Sequence, residues 1–254
     1  MEPVRAKKHL GQHFLKDENI AGKIAGSLSP GVRNVLEVGP GTGVLTKYLA
    51  ENHYNTFKAI ELDRESAAYL KTNFSLGENL IHGDFLRTDI AALFEGSFAI
   101  IGNFPYNISS QIFFKVVENR DRVTECVGMI QREVALRMVS KPGSKDYGIL
   151  NILLQAWYDI ELLFTVPPQV FVPPPKVTSA VVKLTRNNVT DLGCDPKFFT
   201  TVVKTAFNQR RKTLHNALKP LAVYNGEFAG KRAEQLSIAD FVRLTNDIAA
   251  SRDE

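Results

Sequence analysis

Residues 34–45 read NVLEVGPGTGVL: a short apolar run, a turn with glycines at 39, 41 and 43, then the start of an amphipathic stretch. The run 34–38 has the length and composition of a buried strand. Glycine lets the backbone after it turn tightly and approach a ligand closely, and a helix opening there offers unpaired N–H groups. Taken alone, such a turn is either a tight β–α connection or a ligand cradle. The same alternation continues outward from it. Residues 57–62 (FKAIEL), 98–102 (FAIIG) and 126–130 (CVGMI) read as buried strands, with 80–82 a shorter one. Between them, 44–51, 64–74, 109–118 and 132–140 have helical spacing, and Asp63 stands where a helix cap belongs. Alternation of this kind predicts βαβ units and a mostly parallel sheet covered on both faces. Residues 180–184 add a late strand that closes the sheet. The fold class is α/β, doubly wound.

Residues 186–196 (RNNVTDLGCDP) read as a linker, and no strand pattern follows them. Phe199, Val202, Val203, Ala206 and Phe207 recur at helical spacing, and Leu214, Ala217 and Leu218 resume the stripe after a polar break at 208–212. Two more helices are predicted over 227–235 and 238–249. The organisation expected is a domain over 1–186 and a small all-α domain over 187–254.

At 254 residues with 44% hydrophobic and 23% charged content, the chain can fill a core and has an ordinary soluble surface. Gly and Pro, 17 and 12 residues, are near average, which excludes collagen-like and low-complexity classes. The net charge of +4 points to a polyanion only where cations cluster. Two cysteines, Cys126 and Cys194, exclude a disulfide scaffold and a four-cysteine zinc site. No apolar run follows Met1, and no stretch resembles a membrane span, so a cytoplasmic protein is expected. His9 and His13 are four apart, but no third ligand lies near, so no metal is expected. Cys126 reads as a small core residue, and Trp157 and Tyr158 as core or interface aromatics.

The chemistry gathers at the carboxyl ends of the predicted strands, where open α/β sheets bind ligands. Val44 stands where a dinucleotide fingerprint needs its third glycine, so a pyrophosphate site is excluded. Glu61 ends the next strand, where a carboxylate can accept both hydroxyls of an adenosine ribose. Asp84, in His82-Gly83-Asp84-Phe85, either caps a helix beginning near Leu86 or accepts from an adenine amine, with Phe85 covering the ring. Asn103-Phe104-Pro105-Tyr106 follows the fourth strand. Pro105 stiffens the turn, so that the Asn103 side chain and a neighbouring carbonyl can aim at one point. Two acceptors aimed together suit an exocyclic –NH₂, and Tyr106 offers a flat face for the base.

These features resemble class I (Rossmann-like) S-adenosylmethionine-dependent methyltransferases that modify exocyclic amines. Residues 8–15 (KHLGQHFL), 103–109, 166–176 (VPPQVFVPPPK) with 179–182, and 207–214 (FNQRRKTL) are similar, in the same order, to the ribosomal RNA adenine dimethyltransferases, and among them to the small-subunit enzymes. The resemblance extends to about Leu218. It implies S-adenosylmethionine as cofactor, with His13 and Leu15 bordering it, Gly39 and Gly41 at its methionine part, Glu61 on the ribose and Asp84 on the adenine. It implies Asn103 between cofactor and target amine, Phe104, Pro105 and Tyr106 completing the target pocket, and Phe171 stacking on the target base from the other side. Two positions depart from the family's commoner residues: His13 replaces Asn, and Phe104 replaces Leu. The implied activity is dimethylation of two adjacent adenosines near the end of small-subunit ribosomal RNA, in a pre-ribosomal particle, by a monomer.

Between Phe198 and Pro220 there is no acidic residue but there are Lys204, Arg210, Arg211, Lys212 and Lys219, and Arg5, Lys7, Lys8 and Lys16 form a second cluster. Arg210, Arg211 and Lys212 are the candidate RNA contacts; the alternative is a solvated helix face. Two rival functions share these features: a large-subunit ribosomal RNA methyltransferase of the antibiotic-resistance type, and a non-catalytic RNA-binding assembly or transcription factor.

Overall fold

In chain order the elements are β1 (Phe14–Leu15), α1 (Glu18–Ala25), β2 (Asn34–Val38), α2 (Thr46–Ala50), β3 (Thr56–Glu61), α3 (Arg64–Asn73), β4 (Leu80–His82), β5 (Phe98–Asn103), α4 (Ser109–Glu118), β6 (Val123–Gln131), α5 (Arg132–Met138), α6 (Ile149–Gln155), β7 (Tyr158–Val166), β8 (Phe171–Val172), β9 (Ser179–Arg186), α7 (Pro196–Asn208), α8 (Leu214–Ala217) and α9 (Ile238–Ala250). This computed structural model describes residues 4–252. Seven strands form one sheet in the order β4-β3-β2-β5-β6-β9-β7. β4 through β6 run parallel, and β9 lies antiparallel to β6. The chain moves outward from β2 through β3 to β4, then returns to start β5 on the other side of β2. This reversal leaves a crevice beyond the carboxyl ends of β2 and β5, the place such sheets use for ligands.

Side-chain alternation divides the core between the sheet's two faces. Val35, Ile101, Val127, Met129 and Val181 join Ala21 and Ile24 of α1, Leu49 of α2 and Leu45 just before it in one buried cluster. Asp17 caps α1 by accepting from the Ile20 N–H at 3.0 Å, and Asp63 caps α3 through Ser66. β5 and β6 approach closely at Gly102 and Gly128, which are register partners. A Cβ at either position would collide with the Phe104 ring, and at Gly102 also with the Val38 carbonyl oxygen. Phe104, 1% exposed, is therefore seated on two bare stretches of strand, with the edge of Phe113 against it at 5.7 Å.

The described residues divide into two compact units, one running to Ala135 and including Asp159–Arg186, the other joining Leu136–Tyr158 to the residues from Asn187 onward. A single cut after residue 186 would leave Leu136–Tyr158 with the sheet, whereas this segment is bonded to the C-terminal helices. Gly143 N–H donates to Glu234 O at 2.7 Å, and Arg210 Nη2 to Ser144 O at 3.3 Å. In the helical unit, Asp195 caps α7 and Pro196 occupies its first turn, where a missing N–H costs nothing. Phe199, Val202, Val203 and Ala206 are buried along α7, and Phe207 stacks on Phe241 of α9 at 6.1 Å. The predicted break at 208–212 is present as a turn. The helix predicted over 227–235 is not. That stretch is turns ending in one 3₁₀ segment, Ala233–Gln235, with Gly230 inside it where a helix is weakened.

Candidate active site

The crevice at the reversal point is a cleft of about 820 Å³, counted out into the open solvent at its mouth. Four segments line it: 10–14, the glycine turn with Gly39 and Gly41, 60–62 with 83–85, and 103–108. All belong to the first unit.

The glycine turn forms one wall. Gly39 and Gly41 have φ of +67° and +59°, which side-chain-bearing residues rarely adopt. The ring of Phe14 lies where a Cβ on Gly41 would be, so glycine there lets an aromatic wall close on the backbone. Glu61, 4% exposed, ties this wall to β3: one carboxylate oxygen accepts from Gly41 N–H at 2.9 Å, the other from Asp63 N–H at 2.8 Å. A carboxylate has about four acceptor positions, so acceptor capacity remains for a ligand. Burial pushes the Glu61 carboxyl above the usual range, against the backbone N–H groups of Asp63, Gly41 and Leu62. Behind the turn, Glu37 is 1% exposed and accepts from Thr46 Oγ1 at 2.7 Å. Burial raises its pKa to about 8, and the nearby Glu61 adds to the rise. Sequence reading passed over Glu37 as part of the glycine motif, although an acid in the middle of a buried strand was its signal.

Asp84 and Phe85 form a second wall. One Asp84 oxygen accepts from Leu86 N–H at 2.9 Å, so it closes a local turn while it lines the cleft. Phe85 is 4% exposed, and Lys115 of α4 lies 5.5 Å from its ring centre. The same ammonium donates to the carbonyls of Leu86 and Thr88 at 2.9 and 2.6 Å and so holds this loop from outside.

The third wall is 103–108. Asn103 Nδ2 donates to His13 O at 2.9 Å, which fixes the amide plane and leaves Oδ1 unengaged. Phe104 N–H donates to Met129 O at 3.1 Å, and Pro105 O accepts from Ile108 N–H at 3.1 Å. Among the described residues no donor meets Asn103 Oδ1 or Phe104 O, the next carbonyl along the turn. A Cβ on Gly39 would just touch the Pro105 ring, 3.8 Å from its Cδ. His13 Nδ1 donates to Pro173 O at 2.7 Å, and its ring stacks on Tyr106 with centroids 5.4 Å apart. The cleft thus brings together His13, Gly39, Gly41, Glu61, Asp84, Phe85, Asn103, Pro105 and Tyr106.

Two expected site residues are elsewhere. Leu15 and Phe171 are register partners across β1 and β8, and both side chains turn into the core, 3% and 1% exposed. Neither lines the cleft. Successive strand residues face opposite ways, so Phe14 and Val172 take the outer face and Phe171 cannot stack on a base there. The basic run is also split. Arg210 Nε pairs with Glu234 at 2.6 Å, while Arg211 and Lys212 are exposed. In the N-terminal cluster, Lys7 pairs with Asp63 and Glu65. Among the described residues no group of His, Cys, Asp and Glu could hold a metal, and no helix is long and apolar enough to cross a membrane.

The sheet order and cleft match a large group of known folds. A 23S rRNA methyltransferase, ErmE, superposes with a TM-score of 0.67 at 24% identity, covering 93% of this chain and 99% of its own. This shows the class I methyltransferase fold. A dimethyladenosine transferase from Plasmodium falciparum superposes with a TM-score of 0.78 at 26% identity, over 94% and 98% of the two chains. In sequence, a ribosomal RNA small subunit methyltransferase A from Cytophaga hutchinsonii is 55% identical over 97% of this chain and 98% of its own. The family model for ribosomal RNA adenine dimethylases matches residues 4–250. With the cleft's acceptors and glycine turn in place and the match running almost end to end, the chain belongs to the ribosomal RNA adenine dimethylase family.

Proposed function

We propose that this chain dimethylates the exocyclic amines of two adjacent adenosines near the 3′ end of small-subunit ribosomal RNA, with S-adenosylmethionine as methyl donor. The observation that carries the reading is the pair of unengaged acceptors, Asn103 Oδ1 and Phe104 O, beside the glycine turn. The identity of more than half to a small-subunit enzyme favours that RNA over the large subunit.

The donor fits the cleft. Gly39 and Gly41 leave backbone open to its amino-acid part, Glu61 keeps acceptor capacity for a ribose hydroxyl, and Asp84 and Phe85 can hold an adenine by edge and face. When bound, it supplies an electrophilic methyl on a sulfonium centre. The chain's own task is placement. Asn103 Oδ1 and Phe104 O accept the two amine hydrogens and turn the nitrogen lone pair out of conjugation with the ring. Tyr106 supports the base, and the walls exclude water. No strong base is needed, because the proton leaves after attack through Asn103 or water. We infer that the enzyme works as a cytoplasmic monomer on a pre-ribosomal particle, and that Arg211 and Lys212 meet RNA phosphates while Arg210 braces the helical unit.

Tritiated methyl transfer to undermethylated small subunits, with large subunits as control, tests the reading; labelled large subunits alone, or no label at all, would reject it. Donor affinity should weaken as pH falls, starting above the 4.5 of an ordinary glutamate, because protonation of the raised Glu61 removes acceptor positions. Calorimetry from pH 8 to 5 checks this, with Glu61→Gln expected to bind weakly and without that slope. For RNA, Arg211→Ala with Lys212→Ala should flatten the dependence of log affinity on log salt by nearly 1 per residue. Arg210→Ala should instead lower the melting temperature, since it strands Glu234. An unchanged salt slope in the double variant would remove these residues from the RNA surface.

A further inference from the structure

The Tyr106 ring is held by residues from outside its own loop. Its hydroxyl lies 2.5 Å from Ser179 Oγ, 73 residues further along the chain. Ser179 is fully buried as the first residue of β9, in register with Gln131, so its hydroxyl has a fixed position. On one face of the ring sits His13, anchored in turn to Pro173 O. With a hydroxyl pinned at one end and an imidazole over one face, the ring has a single plane to offer and a single face left to stack on.

We propose that Ser179 is a positioning residue for the target base, acting through Tyr106, and that it matters chiefly for the second methyl transfer. This rests on reading the cleft as an adenine-methylating site. An unmodified adenine amine has two hydrogens, and Asn103 Oδ1 and Phe104 O can hold both. After one transfer a single hydrogen remains, so one of these contacts is lost. The plane of the modified base is then set largely by stacking, which depends on the aromatic surface being held still. Burial pushes the Tyr106 hydroxyl's pKa upward, so it stays neutral and shares a hydrogen bond with Ser179.

The test compares Ser179→Ala, Tyr106→Phe and the double variant on undermethylated small subunits. It measures the separate rates of first and second transfer, donor Kd and melting temperature. Ser179→Ala should raise the ratio of monomethyl- to dimethyladenosine about fivefold to tenfold, the scale of one lost hydrogen bond. Donor Kd should be unchanged. Tyr106→Phe should do the same, and the double variant should be no worse than either, because the two hydroxyls act as one unit. The double variant leaves neither hydroxyl unpaired, so it should recover stability that a single variant loses. A product ratio that recovers with the melting temperature means a structural role only and overturns the proposal. An unchanged ratio in Ser179→Ala overturns it too, while leaving the site reading intact. Wild-type protein that makes no methyladenosine overturns both.

Discussion

Asn103→Ala will lower the rate of methyl transfer by about 100-fold or more, with donor affinity changed less than about twofold. The asymmetry follows from what Asn103 does. Its Nδ2 is bound to His13 O, and its Oδ1 is the acceptor proposed for the target amine. Removing the side chain costs the amine one of two holding points, and a misplaced nucleophile loses rate steeply. The donor's proposed contacts, the glycine turn, Glu61 and Asp84, stand on other strands and are untouched. Single-turnover transfer and calorimetry on the same variant check both halves. A full-rate variant would remove Asn103 from the chemistry, and a large loss of donor affinity would make it part of the donor's seat instead.

Glu37→Gln should make the fold more stable at pH 8 to 9 and change it little at pH 4. In the folded chain the Glu37 carboxyl titrates at about 8, while in the unfolded chain it titrates near 4.5. Between those values the folded state holds one more proton than the unfolded state. Its contribution to stability is therefore present below 4.5, declines as pH rises through the window, and is lost above 8. The pH-linked loss is roughly 3–5 kcal/mol, a large part of a typical domain's stability. An amide keeps the oxygen that Thr46 needs and carries no charge to desolvate. Urea unfolding of both proteins at pH 5, 7 and 9 measures the difference. A gap that does not widen with pH would show that Glu37 is ionised in the fold.

The parallel part of the sheet was readable because its strands carry their signal locally. The segments 34–38 and 80–82 match β2 and β4 to the residue, and α4 begins and ends where its spacing predicts. β7 escaped because Leu162-Leu163-Phe164 breaks the alternation that Asp159 and Glu161 begin, so neither period stands out. α1 has a clear signal in Asp17, its cap, which went unread. The site followed the same division. Residues placed by a strand end, such as Glu61 and Asn103, were found at the cleft because the topology puts every such end on one edge. Phe171 and Leu15 were misplaced because the direction of a side chain in a two-residue strand is fixed by its partner, here more than 150 residues away. The ion pair of Arg210 was unreadable for a similar reason, since Glu234 is remote in sequence and adjacent in space.

The seat beneath Phe104 ties three positions into one volume. Gly102 and Gly128 are bare where the phenyl ring rests. A smaller side chain above would vacate space that a methyl from below, at 128, could fill, whereas the carbonyl of Val38 keeps 102 closed whatever lies on top. The ring at 104 and the bare strand at 128 thus constrain each other: while the aromatic occupies its seat, no side chain has room beneath it.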